Sequence, residues 1–172
     1  MASSLICSET QSRVSSVLNR DVKQFGKKYM FDSNEEACWN SDQNSLNSSG
    51  NGQGVESITR MLAHIYSNAS HSCQGDSQWV TLEFPQPVRV SELKVQFQGG
   101  FSGKTCKLEG CPKDGDLAKI IDFYPEDSSS LQSFPIQEAP TVHRLKIVFE
   151  NSADFFGRII VYSLDILGER AL

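Results

Sequence analysis

The chain has 172 residues, 38% of them hydrophobic and 22% charged, with a net charge of −5 and an isoelectric point near 5.2. That length buries enough surface for one domain spanning residues 1–172 without help from a disulfide or a metal, and the acidic balance argues against a broad phosphate-binding face, so no direct nucleic-acid partner is expected. No apolar run approaches the roughly 20 residues that cross a bilayer, and the first residues lack the basic start and apolar core of a secretory signal. The chain therefore reads as a monomer with no membrane contact.

Residues 3–18 carry short apolar pairs (Leu5-Ile6, Val14, Val17-Leu18) among Ser and Thr, a pattern that predicts an irregular edge strand. Residues 19–28 read as a charged loop with one apolar side chain, Phe25, beside a glycine; at a loop tip such a side chain is a candidate contact. Next comes a corner over residues 29–39. Phe31 anchors it, Asp32-Ser33-Asn34 supplies the side-chain acceptors of a tight turn, and Trp39 returns to the interior, where its large apolar area seeds a β-sandwich core.

After Trp39 the composition changes. Residues 41–54 are almost entirely Ser, Asn, Gln, Gly and Asp, too poor in apolar residues to order themselves. Val55, Ile58, Met61, Leu62, Ile65 and Tyr66 then share one face at helical spacing. Residues 44–74 are accordingly predicted to be an insertion carrying one amphipathic helix, the only one expected in the chain. From Trp79 onward the pattern is β. Residues 79–84 and 93–97 alternate apolar and polar side chains, with Pro85 and Pro87 between them. Residues 107–110, 118–124, 131–136, 144–149 and 158–167 complete a series of short strands with no helix between them. Such a series points to an all-β antiparallel sandwich.

No motif for catalysis emerges. Gly99-Gly-Phe-Ser-Gly-Lys-Thr105 ends like a phosphate-binding loop, but the position five before Gly103 is Gln98, and the following residues include Gly110 and Pro112, where the loop should open a helix. There is no Gly-x-Ser-x-Gly elbow, and His143 has no evident Ser or Cys partner. Cys106 and Cys111 lack a second ligand pair for zinc, and His64, His71 and Cys73 lie in or beside the insertion. Asp32, Asn34 and Glu36 alternate along the corner, a weak echo of a calcium loop without its glycine and distal glutamate. Glu126-Asp127 reads as a solvated acidic pair. No enzyme activity, cofactor or metal is expected. The five cysteines are an odd number, and with no signal they are read as reduced thiols of a cytosolic or nuclear protein.

Several stretches in order, Ser15-Ser16, Phe31-Asp32, Ala37-Cys-Trp39, Gln78-Trp-Val-Thr-Leu-Glu-Phe84, Arg144-Leu-Lys-Ile147, Phe156-Gly-Arg-Ile159 and Leu164-Asp-Ile-Leu-Gly168, resemble the discoidin family, the coagulation-factor-V/VIII-type C domains of the galactose-binding-like superfamily. The likeness covers nearly all of the chain outside the insertion. It implies a jelly-roll sandwich of about eight strands. Arg13-Val-Ser-Ser-Val-Leu-Asn-Arg20, Gln24-Phe-Gly-Lys-Lys28, Cys38-Trp-Asn-Ser-Asp-Gln43 and Asp122-Phe-Tyr-Pro-Glu-Asp127 further resemble an intracellular branch of that family. What this implies is a nuclear, also cytoplasmic, module that binds an orphan nuclear receptor and represses its transcriptional activity. The alternative implied by the wider family is a lectin-like module for a glycan or small ligand. The disulfide that closes secreted relatives is not expected, because Cys7 has no partner after Cys111. By position, the family's binding loops fall on residues 19–28, 39–79, 98–105 and 151–157. They offer Phe25, Phe101, Phe155 and Phe156 as apolar contacts and Asp42, Lys104 and Asp154 as polar ones.

Overall fold

In the computed structural model, the structure describes residues 2–32, 36–43 and 77–171. The helix expected over residues 55–66 and the whole insertion expected over residues 44–74 lie outside them, as does Asn34 of the corner. Nine strands form among the described residues: β1 Ser3–Ser4, β2 Gln11–Val14, β3 Trp39–Asn40, β4 Gln78–Phe97, β5 Gly103–Cys111, β6 Ala118–Phe123, β7 Leu131–Pro135, β8 Thr141–Ser152 and β9 Ile160–Arg170. Every pairing is antiparallel.

The strand β4 organises the rest. Two strands were expected here, separated by prolines, but the chain runs through as one long strand whose register with β8 shifts between Glu83 and Val88. Pro85 and Pro87 have no N–H to give to a ladder, so they bend the strand instead of ending it. Before the bend, β4 pairs with β2 and β8; after it, with β7 and β9, while Val88 and Arg89 still pair with β8. One layer is therefore β2-β4-β8-β5-β6, and the other is β7-β4-β9 with β1 and β3 on the far edge of β9.

The inward side chains of both layers make the core. Val80, Leu82 and Phe84 face in from the first half of β4, and Leu93, Val95 and Phe97 from the second, all at most 1% exposed. Three rings tie the layers together: Phe149 of β8 meets Trp39 of β3 at 6.3 Å and Phe97 of β4 edge-on at 5.6 Å. The Trp39 indole is fully buried, and its N–H donates to the Ser16 carbonyl at 2.9 Å. The corner's aromatic anchor behaves as its residues suggested: Met30 is 2% exposed and Phe31 packs against the core.

Two N-terminal expectations need correction. The single edge strand expected over residues 3–18 is two short strands on different layers, β1 on β9 and β2 on β4. The charged loop over residues 19–28 contains a one-turn helix, α1 Val22–Phe25, because the Asp21 side chain accepts from the Gln24 N–H at 3.2 Å. Aspartate is among the best residues at that capping position.

Candidate partner-binding end of the sandwich

The strand registers bring distant loops to one end. Gln78 opens β4 opposite Phe149, Phe97 ends it opposite Val161, Gly103 opens β5 opposite Ser152, and Asn40 ends β3 opposite Ile160. The connections at 41–77, 98–102 and 153–159 therefore leave the sheets at the same end. So does the connection at 124–130, since Phe123 pairs with Cys106 and Leu131 with Gln96.

These loops are joined into one platform by hydrogen bonds. Gln98 N–H donates to Ile160 O at 3.0 Å, Ile160 N–H to Phe101 O at 3.1 Å, and Ala153 N–H to Ser102 O at 2.8 Å. Ser41 then links the insertion's entry to the same unit: its N–H donates to Ile159 O at 2.8 Å and its hydroxyl accepts from Ile159 N–H at 2.7 Å. At the insertion's exit, Gln78 is 5% exposed and its carbonyl oxygen accepts from the hydroxyls of Ser15 at 2.5 Å and Ser16 at 2.8 Å. Its amide reaches the Asp42 carbonyl at 3.2 Å, and Asp42 N–H donates to Ser16 Oγ at 2.9 Å. Asp42 and Gln78 are thus held to each other and to Ser15 and Ser16 near the start of the chain by one part-buried polar node, which satisfies groups that burial would otherwise penalise.

The loop after β8 is closed on itself. The Asp154 carboxylate accepts from the Arg158 N–H at 3.0 Å and from Arg158 Nε at 3.3 Å, and the Ser152 hydroxyl donates to the Arg158 carbonyl at 2.6 Å. Gly157 takes φ +81° at this turn, a conformation that suits a residue with no Cβ. The Arg158 guanidinium lies over the Phe101 ring at 4.8 Å, and Phe155 and Phe156 meet edge-on at 5.3 Å. Such a cation over a ring is worth roughly 0.5–1 kcal/mol where solvent reaches it.

Of the residues nominated from the sequence, Phe101, Asp154, Phe155 and Phe156 are therefore brought to one surface, with Arg158 as the joint that sequence reasoning missed. Phe101, offered as an apolar contact of the 98–105 loop, is half-buried beneath Arg158. Asp42 sits at the same end, but its side chain caps its neighbour, accepting from Gln43 N–H at 2.9 Å. Lys104 is exposed as the second residue of β5, where a loop over residues 98–105 was expected. Phe25 ends α1, and the turn after it is fastened elsewhere: Lys27 Nζ donates to the Ser12 carbonyl, midway along β2.

The acidic pair at 126–127 is also more than solvated surface. Asp127 Oδ1 accepts from Gly100 N–H at 2.8 Å and from the buried Ser102 hydroxyl at 2.8 Å. These two bonds, with the nearby Lys104 charge, hold its carboxyl below the usual aspartate range. Gly100 at φ +90° presents that N–H. A partner 27 positions away in sequence gave no local signal for this contact. Among the described residues, no group of three or more His, Cys, Asp and Glu is gathered as for a metal ion.

An antiparallel sandwich with its loops joined at one end is the discoidin-type fold, and solved structures share it. The chain is similar to an F5/8 type C domain from Bacteroides fragilis (TM-score 0.71, 11% identity, 99% of this chain and 98% of that one). It is also similar to a family 32 carbohydrate-binding module from Clostridium perfringens in complex with galactose (TM-score 0.66, 12% identity, 97% and 99%). No family model matches. Curated relatives carry the assignment further. The chain is 63% identical over 172 residues to the nuclear receptor 2C2-associated protein of Danio rerio, covering 100% of both, and 51% identical over 170 residues to that of Homo sapiens, covering 99% of both. The chain belongs to the nuclear receptor 2C2-associated protein family. Both alignments run through residues 44–74, the segment expected to be an insertion.

Proposed function

We propose that this chain is a non-enzymatic interaction module that binds an orphan nuclear receptor through the fused loop end of its sandwich and represses the receptor's transcriptional activity, acting in the nucleus and also in the cytoplasm. The observation that carries the reading is the 63% identity, over the whole chain, to a relative named for association with nuclear receptor 2C2. The loop end supports it: hydrogen bonds pre-order the platform, so little conformational entropy remains to be lost on binding. Half-buried aromatic and arginine side chains, the types that dominate interface energetics, sit at its centre.

Co-precipitation with nuclear receptor 2C2 tests the proposal, using Lys104→Glu, Phe155→Ser with Phe101→Ser, and Phe25→Ser. Loss of capture with the paired loop change, at an unchanged melting temperature, is expected; full capture by both Lys104→Glu and the paired change rules the loop end out. Repression is read with a receptor-driven reporter, and compartment by fractionation. The galactose bound by a structural neighbour at 12% identity reflects on the fold alone. Calorimetry with galactose tests a glycan-binding reading, and absence of heat removes it.

A further inference from the structure

The outer face of the β2-β4-β8 layer carries a second surface, on the side of the sandwich, that starts at Trp79 beside the loop end. Alternation along β4 turns Trp79, Thr81 and Glu83 outward while Val80, Leu82 and Phe84 enter the core. Arg13 of β2 lies beside Thr81, and Arg144 and Lys146 of β8 lie opposite Glu83 and Thr81. Together with Leu117 these residues line a depression of about 270 Å³. It is smaller than the roughly 300–1,000 Å³ of clefts that enclose small ligands, and suits one or two side chains of an extended segment lying across the strands.

The charge of this depression is opposite to that of the molecule. Three cations, Arg13, Arg144 and Lys146, share it with one carboxylate, Glu83, in a chain of net charge −5. Among the described residues, neither arginine forms an ion pair with a carboxylate. Lys146 stands over the Trp79 ring at 5.3 Å and makes no ion pair with Glu109, its cross-strand neighbour on β5. Two arginine forks without carboxylates, beside an indole face and the exposed Leu117, present bidentate donors for carboxylates and an apolar seat for a side chain between them.

We propose that this face is a docking site for an acidic, extended peptide segment of a protein partner, with glutamate or aspartate side chains on Arg13 and Arg144 and an apolar side chain between Trp79 and Leu117. It goes beyond the loop-end reading and is independent of it. Trp79 supplies an internal reporter, since the chain's other tryptophan, Trp39, is fully buried.

The test titrates the full chain with a glutamate-rich decapeptide containing one leucine, following tryptophan fluorescence at about 0.1 M and about 1 M salt, between which the screening length shrinks from about 10 Å to about 3 Å. Saturable quenching or shift of Trp79 emission is expected. Affinity should fall at least tenfold at high salt and at least tenfold in Arg13→Glu/Arg144→Glu, a variant of two exposed residues whose melting temperature should not change. Phe101→Ser should bind the peptide normally. Three results would overturn the proposal: equal binding by the double variant, equal binding of a lysine-rich decapeptide, or tighter binding of a single-stranded oligonucleotide than of the acidic peptide. Arg13→Gln/Arg144→Gln, read by calorimetry, keeps the test decisive should the charge-reversed variant not fold: loss of the acidic-peptide heat in it supports the site, and heat equal to wild type, or none in wild type, refutes it.

Discussion

Replacing Trp39 by alanine probes the joint that holds the two layers together. The side chain is fully buried, so the substitution removes its apolar contacts and leaves a cavity, which for Trp or Phe to Ala costs about 3–5 kcal/mol. The tilted ring pair with Phe149 adds about 0.5–1.5 kcal/mol beyond burial. Loss of the indole N–H also leaves the Ser16 carbonyl without that donor. A total near 4–6 kcal/mol follows, a large part of the roughly 5–15 kcal/mol that folds a typical domain. Trp39→Phe retains a ring and loses chiefly the hydrogen bond and some volume, about 1–2 kcal/mol. Urea unfolding read by far-ultraviolet circular dichroism and by Trp79 fluorescence separates the two. With a slope near 2 kcal/mol per molar, the alanine variant should shift the midpoint by about 2–3 M and the phenylalanine variant by about 0.5–1 M. An alanine shift no larger than the phenylalanine shift would refute the assignment of Trp39 as the interlayer core.

Three further outcomes are expected. At Gly168, where β9 pairs with both β1 and β4, an added Cβ would lie 1.9 Å from the Arg89 carbonyl oxygen. Gly168→Ala should therefore lower the thermal midpoint by several degrees, while Gly99→Ala, whose nearest neighbour is a movable Ser129 hydroxyl at 3.3 Å, should change it little. Site-resolved alkylation should modify Cys7 before Cys106: the Thr10 hydroxyl beside Cys7 lowers its thiol's pKa at an exposed site, whereas burial pushes the Cys106 thiol far above its ordinary value. Equal rates in the folded protein would contradict the burial assigned to β5. The Gly100 amide resonance should follow Asp127 protonation with a midpoint below the ordinary aspartate value of 3.8, because the folded carboxylate is stabilised by its two donors. The link is then present above the unfolded pKa and lost as pH falls through the lower folded one. A midpoint at or above 3.8 would remove it.

The long strands were legible because alternation is a local property: Leu93, Val95 and Phe97 announce the inward face of β4 without any partner. The bend at Pro85 and Pro87 was not, since continuity there depends on β8 and β9 pairing with either half from more than fifty residues away. Two-residue strands such as β1 and β3 have too few positions to show a period. Family position named Phe101 and Asp154 together, but Arg158, which joins them, and Asp127, which fastens the Gly100 turn, became visible only through long-range geometry. The basic depression is invisible in sequence for the same reason: Arg13, Trp79 and Arg144 are brought side by side by register alone.

The most direct measurement of the central claim is the affinity of purified nuclear receptor 2C2 for the wild-type chain and for Phe101→Ser/Phe155→Ser, by surface plasmon resonance, with circular dichroism confirming the fold of each. Loss of a buried aromatic anchor at an interface centre costs about 2 kcal/mol or more, so affinity is predicted to weaken by more than tenfold. Unchanged affinity in a folded double variant would contradict binding through the loop end.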